Sequence, residues 1–237
     1  MKSSEIILAL DFDGVICNSI DECLITSYNA FYKSEINNVS KIPEDIKSFF
    51  YTNRHLVRPA GEFYLIHKAY QENFTNIDLM TFNKLKSKYK RESNLFEKRF
   101  FLMRNYLKKD DKNWISLHRI YDHVRGFFRS YEKKFFIVTT KDKDSVEILS
   151  EYFGFRKKIQ DIFSKDISID KRQLFKKLLS KYDQYLLNNK LAFVDDNEFH
   201  LAEVQDLPLE LYFAAWGYSS KQYIHSFKPL NMMQELP

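Results

Sequence analysis

The sequence contains little cysteine, glycine or proline. Its 237 residues include two cysteines, Cys17 and Cys23, which are six positions apart and match no metal-ligand pattern. A disulfide framework is therefore not implied, and this cysteine usage fits a reducing, cytoplasmic compartment. With five glycines and five prolines, the chain shows no Gly/Ser-rich linker, and we find no internal repeat or low-complexity tract.

The chain also lacks long apolar runs and a strong charge. No run of 18 apolar residues occurs, so we expect no transmembrane helix. The first apolar run is interrupted by Asp11 and has no small-residue cleavage site, so we expect no signal peptide. The net charge of +5 would attract phosphorylated small molecules and nucleic acid alike, so it does not distinguish between these two classes of partner.

The hydrophobic fraction of 44% and the aromatic fraction of 16% are those of a globular chain with a large core. Ile6–Leu10 is a short apolar run, typical of a parallel strand that is buried on both faces. From about residue 20 to 117, apolar residues recur at helical spacing and no strand is evident. There we predict helices over 60–73, with Pro59 in the first turn, and over 94–107. The apolar stripe of the second helix comprises Leu95, Phe96, Phe100, Met103 and Leu107.

From about residue 117 onward, strands and helices alternate. The predicted elements are a helix from Leu117 to Tyr131, a strand over 135–139, a helix over 145–153, a short strand or loop around 161–169, a helix over 172–182, the strand LAFVDD, and a strand over 211–218. This alternation predicts a doubly wound, Rossmann-like parallel sheet of the α/β class. We expect residues 1–19 and 118–237 to form this α/β core, with residues 20–117 inserted as an all-helical domain.

Polar side chains follow three of the predicted strands. In an open parallel sheet, ligands bind outside the carboxyl ends of the strands, so residues at these ends share one site. The residues at the predicted ends are Asp11, Asp13, Thr139, Thr140, Asp195 and Asp196, with Lys171 just before the helix that leads to the third strand. Clustered carboxylates repel one another, and Mg²⁺ relieves that repulsion while also binding phosphate oxygens. The pattern therefore predicts phosphoryl-transfer chemistry.

Four segments resemble the motifs of the haloacid dehalogenase (HAD)-like phosphohydrolase superfamily. They are DFDGVICNS, FIVTTK, the stretch KRQLFKKLL that opens with Lys171, and FVDDNEFH, and their order and rough spacing are also similar. The WGY segment resembles that of phosphoglycolate phosphatase-like members, and the chain as a whole resembles the phosphoglycolate phosphatase and β-phosphoglucomutase type. The resemblance covers about residues 1–19 and 118–237, and it implies that the helical insertion is a C1-type cap.

The resemblance implies a catalytic role for each aspartate of the first motif. Asp11 would be the nucleophile that forms an aspartyl-phosphate, and such covalent catalysis divides one hard displacement into two easier ones. Asp13 would be the general acid and base, a role commonly worth about 10²–10⁴-fold in rate. The dehalogenases of the superfamily lack an acid at this position, so the presence of Asp13 disfavours dehalogenation.

The resemblance also implies the ligands of a Mg²⁺ ion and the groups that hold phosphate. The Mg²⁺ ligands would be the Asp11 carboxylate, the Asp13 backbone carbonyl and Asp196, while Asp195 would act through water or orient Lys171. Thr139 would hydrogen-bond the transferring phosphate, and Lys171 would offset its charge.

Three positions depart from the family pattern or leave it open. Asn18 stands where the first motif commonly has Asp, a change that removes no catalytic group. Lys165 is a rival to Lys171 for the active-site lysine. His200 occupies a region where many members carry a further acidic residue, so the sequence leaves open which side chain supports the metal site there.

For the substrate, we expect a small phosphorylated metabolite and neither a nucleic acid nor a membrane. Thr140, Arg54 and Arg58 are candidates for substrate contact, since arginine suits bidentate recognition of carboxylate or phosphate. The alternative for the two arginines is a solvated loop before Pro59. A Mg²⁺-dependent phosphatase is the function we predict. Its alternatives are a phosphomutase of the β-phosphoglucomutase type, a phosphonatase, or a non-catalytic binding module with the same fold. The oligomeric state stays open.

Overall fold

The computed structural model describes residues 5–219 and 227–236. The chain divides into two compact units, which we call the core unit and the helical unit. The core unit is Met1–Asn18 with Ile120–Pro237, and the helical unit is Ser19–Arg119. The boundaries expected from the sequence, 1–19 with 118–237 and 20–117, differ from these by two residues or fewer.

Eight strands occur in the described residues, and most are short. They are β1 Ile6–Leu10, β2 Cys17–Asn18, β3 Arg119–Ile120, β4 Phe135–Val138, β5 Ile159–Phe163, β6 Lys190–Asp195, β7 Leu209–Ala214 and β8 Lys228–Leu230. The strands β2 and β3 pair with each other, and the other six form one sheet.

The helices of the described residues fill both units, and they range from one turn to five. They are α1 Ile20–Tyr32, α2 Glu44–Asn53, α3 Phe63–Gln71, α4 Leu79–Lys88, α5 Lys90–Leu107, α6 Asp111–Ser116, α7 Asp122–Ser130, α8 Lys143–Tyr152, α9 Lys171–Lys181, α10 Asp183–Leu186 and α11 Glu198–Glu203. Within residues 5–219 and 227–236, none of them is both long enough and apolar enough to cross a bilayer.

The main sheet has the strand order β5-β4-β1-β6-β7-β8, and each neighbouring pair is parallel. The first strand lies at the centre, so the chain builds the sheet outward from β1 in both directions. The sequence-based prediction of a doubly wound α/β sheet is therefore confirmed. The order reverses at β1, between β4 and β6, and the carboxyl ends of these three strands form the crevice in which such folds bind ligands.

Helices cover both faces of this sheet, which is why its strands are mostly apolar and β1 and β4 are wholly so. On one face, Ala9 of β1 and Phe193 of β6 share a core cluster with Leu174 and Phe175 of α9. On the other face, the ring of Phe128 in α7 stacks on that of Phe135 in β4, with 4.7 Å between centroids.

The helical unit encloses a buried ion pair between its first and fifth helices. Glu22 of α1 is fully buried, and its two carboxylate oxygens accept from Nε and NH2 of Arg104 in α5, both at 2.8 Å. Oε1 of Glu22 also accepts from Oγ1 of Thr26 at 2.8 Å and from the indole nitrogen of Trp114 at 3.5 Å. These hydrogen bonds satisfy the buried carboxylate and tie α1 to α5.

A buried histidine lies among aromatic rings in the same unit. His67 of α3 is 5.3 Å from the ring of Phe31 and 5.7 Å from that of Phe50, and its Nε2 is 2.9 Å from Oγ of Ser27. Burial lowers the pKa of His67 from 6.5 to about 3, so the ring is neutral in the folded protein at pH 7.

Within the helical unit, two of the predicted helices differ from the observed ones. The segment predicted as a helix over 60–73 begins with a 3₁₀ turn, Ala60–Glu62, before α3 starts at Phe63. Helix α5 begins at Lys90 rather than near 94, because it follows directly on α4. Leu95, placed on the buried stripe by its spacing, is 51% exposed.

In the core unit, three predicted elements differ most from the observed ones. The helix predicted from Leu117 begins at Asp122, because β3 lies before it. The segment around 161–169 contains the end of β5, which begins earlier, at Ile159. The last predicted strand, over 211–218, stops at Ala214, since the backbone N–H of Gly217 turns back to the carbonyl of Ala214 at 3.2 Å.

Candidate active site

A tight loop after β1 carries both aspartates of the first motif. The backbone N–H of Asp11 still pairs with the carbonyl of Val194 at 3.0 Å, so this residue continues the sheet. The chain then turns at Gly14, whose φ of 89° lies in the region that favours glycine. Because of this turn, the Asp11 side chain is nearly buried while that of Asp13 stays 16% exposed at the rim.

The ammonium of Lys171 lies where the three central strands end. Its Nζ donates to Oδ1 of Asp11 at 2.8 Å, to the carbonyl of Val138 at 2.6 Å, and lies 3.0 Å from Oδ2 of Asp195. Asp11 directly follows β1, Val138 is the last residue of β4, and Asp195 is the last residue of β6. Lys171 is the first residue of α9, and its side chain is fully buried. One cation therefore links three strand ends that are far apart in the sequence.

Burial and this cation set the charge state of the two central carboxylates. Burial raises the pKa of Asp11, an effect that the nearby Lys171 ammonium opposes without cancelling. Burial acts in the same direction on Asp195, but Lys171, His200 and the N–H of Asn197 outweigh it and lower the pKa of Asp195 to about 2. For Lys171, burial lowers the pKa, and the two carboxylates overcome this and raise it. The lysine therefore remains an ammonium.

His200 contacts Asp195, the first carboxylate of the acidic pair. Its Nδ1 lies 3.1 Å from Oδ2 of Asp195, and the backbone N–H of Asn197 donates to Oδ1 at 2.9 Å. Both residues lie in or just before α11, which follows β6 within three residues. The carboxylate of Asp195 is thus held on two sides by its own loop and on a third by Lys171.

The second carboxylate of the pair, Asp196, is enclosed by two glycines. A Cβ added to Gly14 would lie 2.3 Å from Oδ2 of Asp196, and one added to Gly217 would lie 2.4 Å from the same atom. The backbone N–H of Tyr218 donates to this oxygen at 2.6 Å. Asp196 therefore fits only because neither neighbour has a side chain, which links the WGY segment to the site.

Three buried carboxylates are close enough to share one cation. Asp11, Asp195 and Asp196 each offer an oxygen, and these atoms all lie within 4.8 Å of one another. Lys171 supplies one positive charge beside these three carboxylates, which is too little to balance their negative charge. A hard divalent cation such as Mg²⁺ prefers oxygen ligands and would offset this excess of negative charge. The donor set therefore fits the Mg²⁺ expected from the sequence.

The segment after β4 carries a buried hydroxyl and a second buried lysine. Thr139 is buried, and its backbone N–H donates to the carbonyl of Phe163 at 2.9 Å. Its Oγ1 accepts from the backbone N–H of Lys141 at 3.1 Å. The Lys141 ammonium lies 3.1 Å and 3.2 Å from the two carboxylate oxygens of Asp13. Thr140 is half-buried.

The remaining candidates belong to both units of the described chain. Lys165, the rival of Lys171, is half-buried, and its backbone N–H donates to the carbonyl of Lys141 at 3.3 Å. Arg54 belongs to the helical unit, where its NH1 donates to the carbonyl of Val57 at 3.1 Å and its guanidinium lies over the Phe63 ring. Arg58 is half-buried in the same unit, and its backbone N–H donates to Glu62. Asn18 ends β2.

The sequence left the roles of three residues of this site unassigned. Lys141 stands inside the FIVTTK segment, two positions after Thr139, yet a lysine there gives no signal by itself. The contact of His200 with Asp195 follows from the five-residue spacing across the start of α11. Gly217 was part of the WGY segment, but its closeness to Asp196 depends on the paired ends of β6 and β7.

No protein-family model and no curated protein matches the sequence at a significant level. Solved structures do match the fold. A predicted phosphoglycolate phosphatase from Haemophilus somnus has a TM-score of 0.61 at 13% identity, over 92% of this chain and 88% of its own. A HAD-superfamily hydrolase of subfamily IA from Geobacter sulfurreducens has a TM-score of 0.55 at 11% identity, over 97% and 92%. The Mycobacterium tuberculosis Protein Tyrosine Kinase A has a TM-score of 0.57 at 11% identity, over 99% and 96%.

These similarities define the fold, which is that of HAD-superfamily hydrolases. The resemblance expected from four short motifs is therefore confirmed at the level of the fold. At 11–13% identity, and with a protein called a kinase among the matches, fold similarity leaves the reaction to be argued from the site.

Proposed function

We propose that this protein is a Mg²⁺-dependent phosphatase that hydrolyses a small phosphorylated metabolite through an aspartyl-phosphate. The observation that carries the proposal is the contact of one buried ammonium, Lys171, with both Asp11 and Asp195 at the joined ends of β1, β4 and β6. A buried ion cluster contributes little net stability compared with apolar packing of the same volume, so a functional reason for it is favoured.

In the first step, an oxygen of Asp11 attacks phosphorus and the bond from phosphorus to the leaving oxygen breaks. Asp13 gives a proton to that oxygen, so the product leaves as an alcohol. The hydroxyl of Thr139 donates to a phosphate oxygen, and Lys171 offsets the negative charge that gathers around Asp11. The Thr139 hydroxyl suits this role, because its Oγ1 already accepts from Lys141 and its own hydrogen is left to point at a ligand.

In the second step, water attacks the phosphorus of the aspartyl-phosphate. Asp13 takes a proton from that water, the bond between phosphorus and the Asp11 oxygen breaks, and inorganic phosphate leaves. Asp13 is suited to both proton transfers, because it is two residues from the nucleophile and remains partly exposed at the rim of the site.

In this proposal Asp11, Asp196 and the backbone carbonyl of Asp13 hold the Mg²⁺, and Asp195 orients Lys171. When bound, the ion neutralises charge on the transferring phosphoryl group. The helical unit would be the cap that selects the substrate, with Arg54, Arg58 and Thr140 as candidate contacts. We also propose a cytoplasmic location, because two cysteines in 237 residues imply no disulfide framework.

The test is phosphate release from a panel of phosphorylated metabolites and one aryl phosphate, with Mg²⁺ and with EDTA. Wild type is compared with Asp11→Asn, which keeps the shape of the side chain and removes the nucleophile. The matched control is Asp183→Asn, the same change at an exposed position of the core unit. We expect release that EDTA and Asp11→Asn abolish and that the control leaves intact.

Other outcomes lead to different conclusions. Release that persists in Asp11→Asn contradicts the covalent mechanism. Absence of release from every compound, with a stable aspartyl-phosphate, favours a phosphomutase. Absence of both, with Mg²⁺ bound, favours a binding module.

A further inference from the structure

Lys141 makes a contact that the roles assigned so far do not use. Its side chain is fully buried, while the carboxylate of its partner Asp13 is 16% exposed. The ammonium lies 3.1 Å and 3.2 Å from the two oxygens of Asp13, so it contacts both of them. The ammonium is also 5.9 Å from the centroid of the Phe12 ring.

This geometry restrains the direction in which Asp13 points. An aspartate at the rim of a site can adopt several rotamers, and a fork of two contacts to a fixed ammonium selects one of them. Lys141 is itself fixed, since its side chain is buried and its backbone N–H donates to Thr139. The segment after β4 therefore carries both the phosphate-binding hydroxyl and the group that aims Asp13.

The same geometry bears on the proton transfers of Asp13. The ammonium contacts both oxygens of Asp13, so it fixes the plane of the carboxylate and the direction from which a proton can reach it. In the proposed function, Asp13 takes up a proton in the second step, from the attacking water. The first step needs the opposite transfer, from Asp13 to the leaving oxygen.

We infer that Lys141 is a positioning residue, which holds the carboxylate of Asp13 where it accepts the proton of the hydrolytic water. The inference rests on the proposed function. It goes beyond it by assigning to the segment after β4 a part in the breakdown of the aspartyl-phosphate.

The test measures the two steps separately with p-nitrophenyl phosphate in rapid-quench experiments. Nitrophenolate leaves without being protonated, so the first step hardly depends on Asp13 with this substrate. We expect Lys141→Met to slow the breakdown of the aspartyl-phosphate about tenfold to a hundredfold, a fraction of the full general-base effect. Its formation should change much less, so a burst of nitrophenolate should precede slow turnover. The matched control is Lys143→Met, two positions away and 52% exposed, which should behave as wild type.

A second comparison keeps the inference testable if Lys141→Met does not fold. The variant Asp13→Asn/Lys141→Met removes both charges of the pair, and it is compared with Asp13→Asn alone. If Lys141 acts through Asp13, the double variant breaks down the aspartyl-phosphate no more slowly than the single one. A further loss in the double variant, or equal slowing of both steps in Lys141→Met, overturns the inference. Wild type that forms no aspartyl-phosphate overturns the proposed function, and the inference with it.

Discussion

Gly217 gives a direct test of how closely the acidic pair is packed. Its backbone φ lies outside the left-handed region that glycine alone favours, so alanine brings no conformational strain there. A Cβ would nevertheless lie 2.2 Å from Cβ and 2.4 Å from Oδ2 of Asp196. An ordinary contact begins at 3.4 Å, so the carboxylate of Asp196 has to move by about 1 Å, from 3.4 − 2.4.

The consequence of such a shift follows from the proposed role of Asp196 as a Mg²⁺ ligand. A displacement of about 1 Å in a catalytic group costs about 10²-fold in rate. We therefore expect Gly217→Ala to lower kcat/KM for phosphate release about 100-fold and to weaken Mg²⁺ binding. Phosphate release is measured over a range of Mg²⁺ concentrations, and the ion affinity by calorimetry.

The matched control is Gly126→Ala, in helix α7 of the same unit. Its added Cβ would meet its nearest atom at 3.7 Å, an ordinary contact, on an exposed helix face. Activity should stay unchanged, and the free energy of unfolding should rise by about 0.5–1 kcal/mol, because alanine favours the helix. A Gly217→Ala protein with wild-type kcat/KM and Mg²⁺ affinity would refute the packing argument.

Two predictions concern the stability of the helical unit and need no assay of activity. Arg104→Met leaves the Glu22 carboxylate buried without its main partner, so the free energy of unfolding in urea should fall by about 3–5 kcal/mol. Glu22→Leu/Arg104→Met should recover most of that loss, while the exposed Arg99→Met should change little; a double variant as unstable as the single one contradicts this account. His67 has its pKa lowered to about 3 by burial, so only the unfolded chain takes up its proton between pH 6.5 and 3. The contribution of His67 to stability should therefore be fully present well above pH 6.5 and decrease as the pH falls below it, by about 2 kcal/mol at pH 5. Urea unfolding at pH 7 and pH 5 measures this loss, and a His67→Gln protein that loses as much contradicts the assignment to His67.

The sequence predicted the sheet well because its strands are buried on both faces. Runs such as Ile6–Leu10 and Leu191–Val194 are continuously apolar and only five and four residues long, a length typical of strands rather than of helices. Boundaries were harder to predict. The stop at Ala214 depends on a turn through Gly217, and the start of α7 at Asp122 depends on the pairing of β3 with β2. The strands β2 and β3 are far apart in the sequence, and the bond from Gly217 to Ala214 is a local turn that no periodicity indicates.

The residues of the candidate site also fall into those that the sequence predicts and those that it does not. Asp11, Asp195 and Lys171 could be anticipated because each follows or precedes a recognisable element, and parallel strands end at one edge. Lys141 could not, since its importance depends on the direction of a side chain across the gap between two strand ends. The roles of Arg54 and Arg58 stay predictions.

The placement of β1 at the centre of the sheet affects the order in which the protein can form. This strand is synthesised first, but its partners β4 and β6 begin at Phe135 and Lys190. A nascent chain therefore carries an apolar strand and Asp11, the proposed nucleophile, for more than one hundred residues before either partner exists. During that time the helical unit, Ser19–Arg119, is the part whose residues are all present. On the ribosome, the helical unit, whose helices form by local contacts, can thus fold before the partners of the central strand β1 have been synthesised.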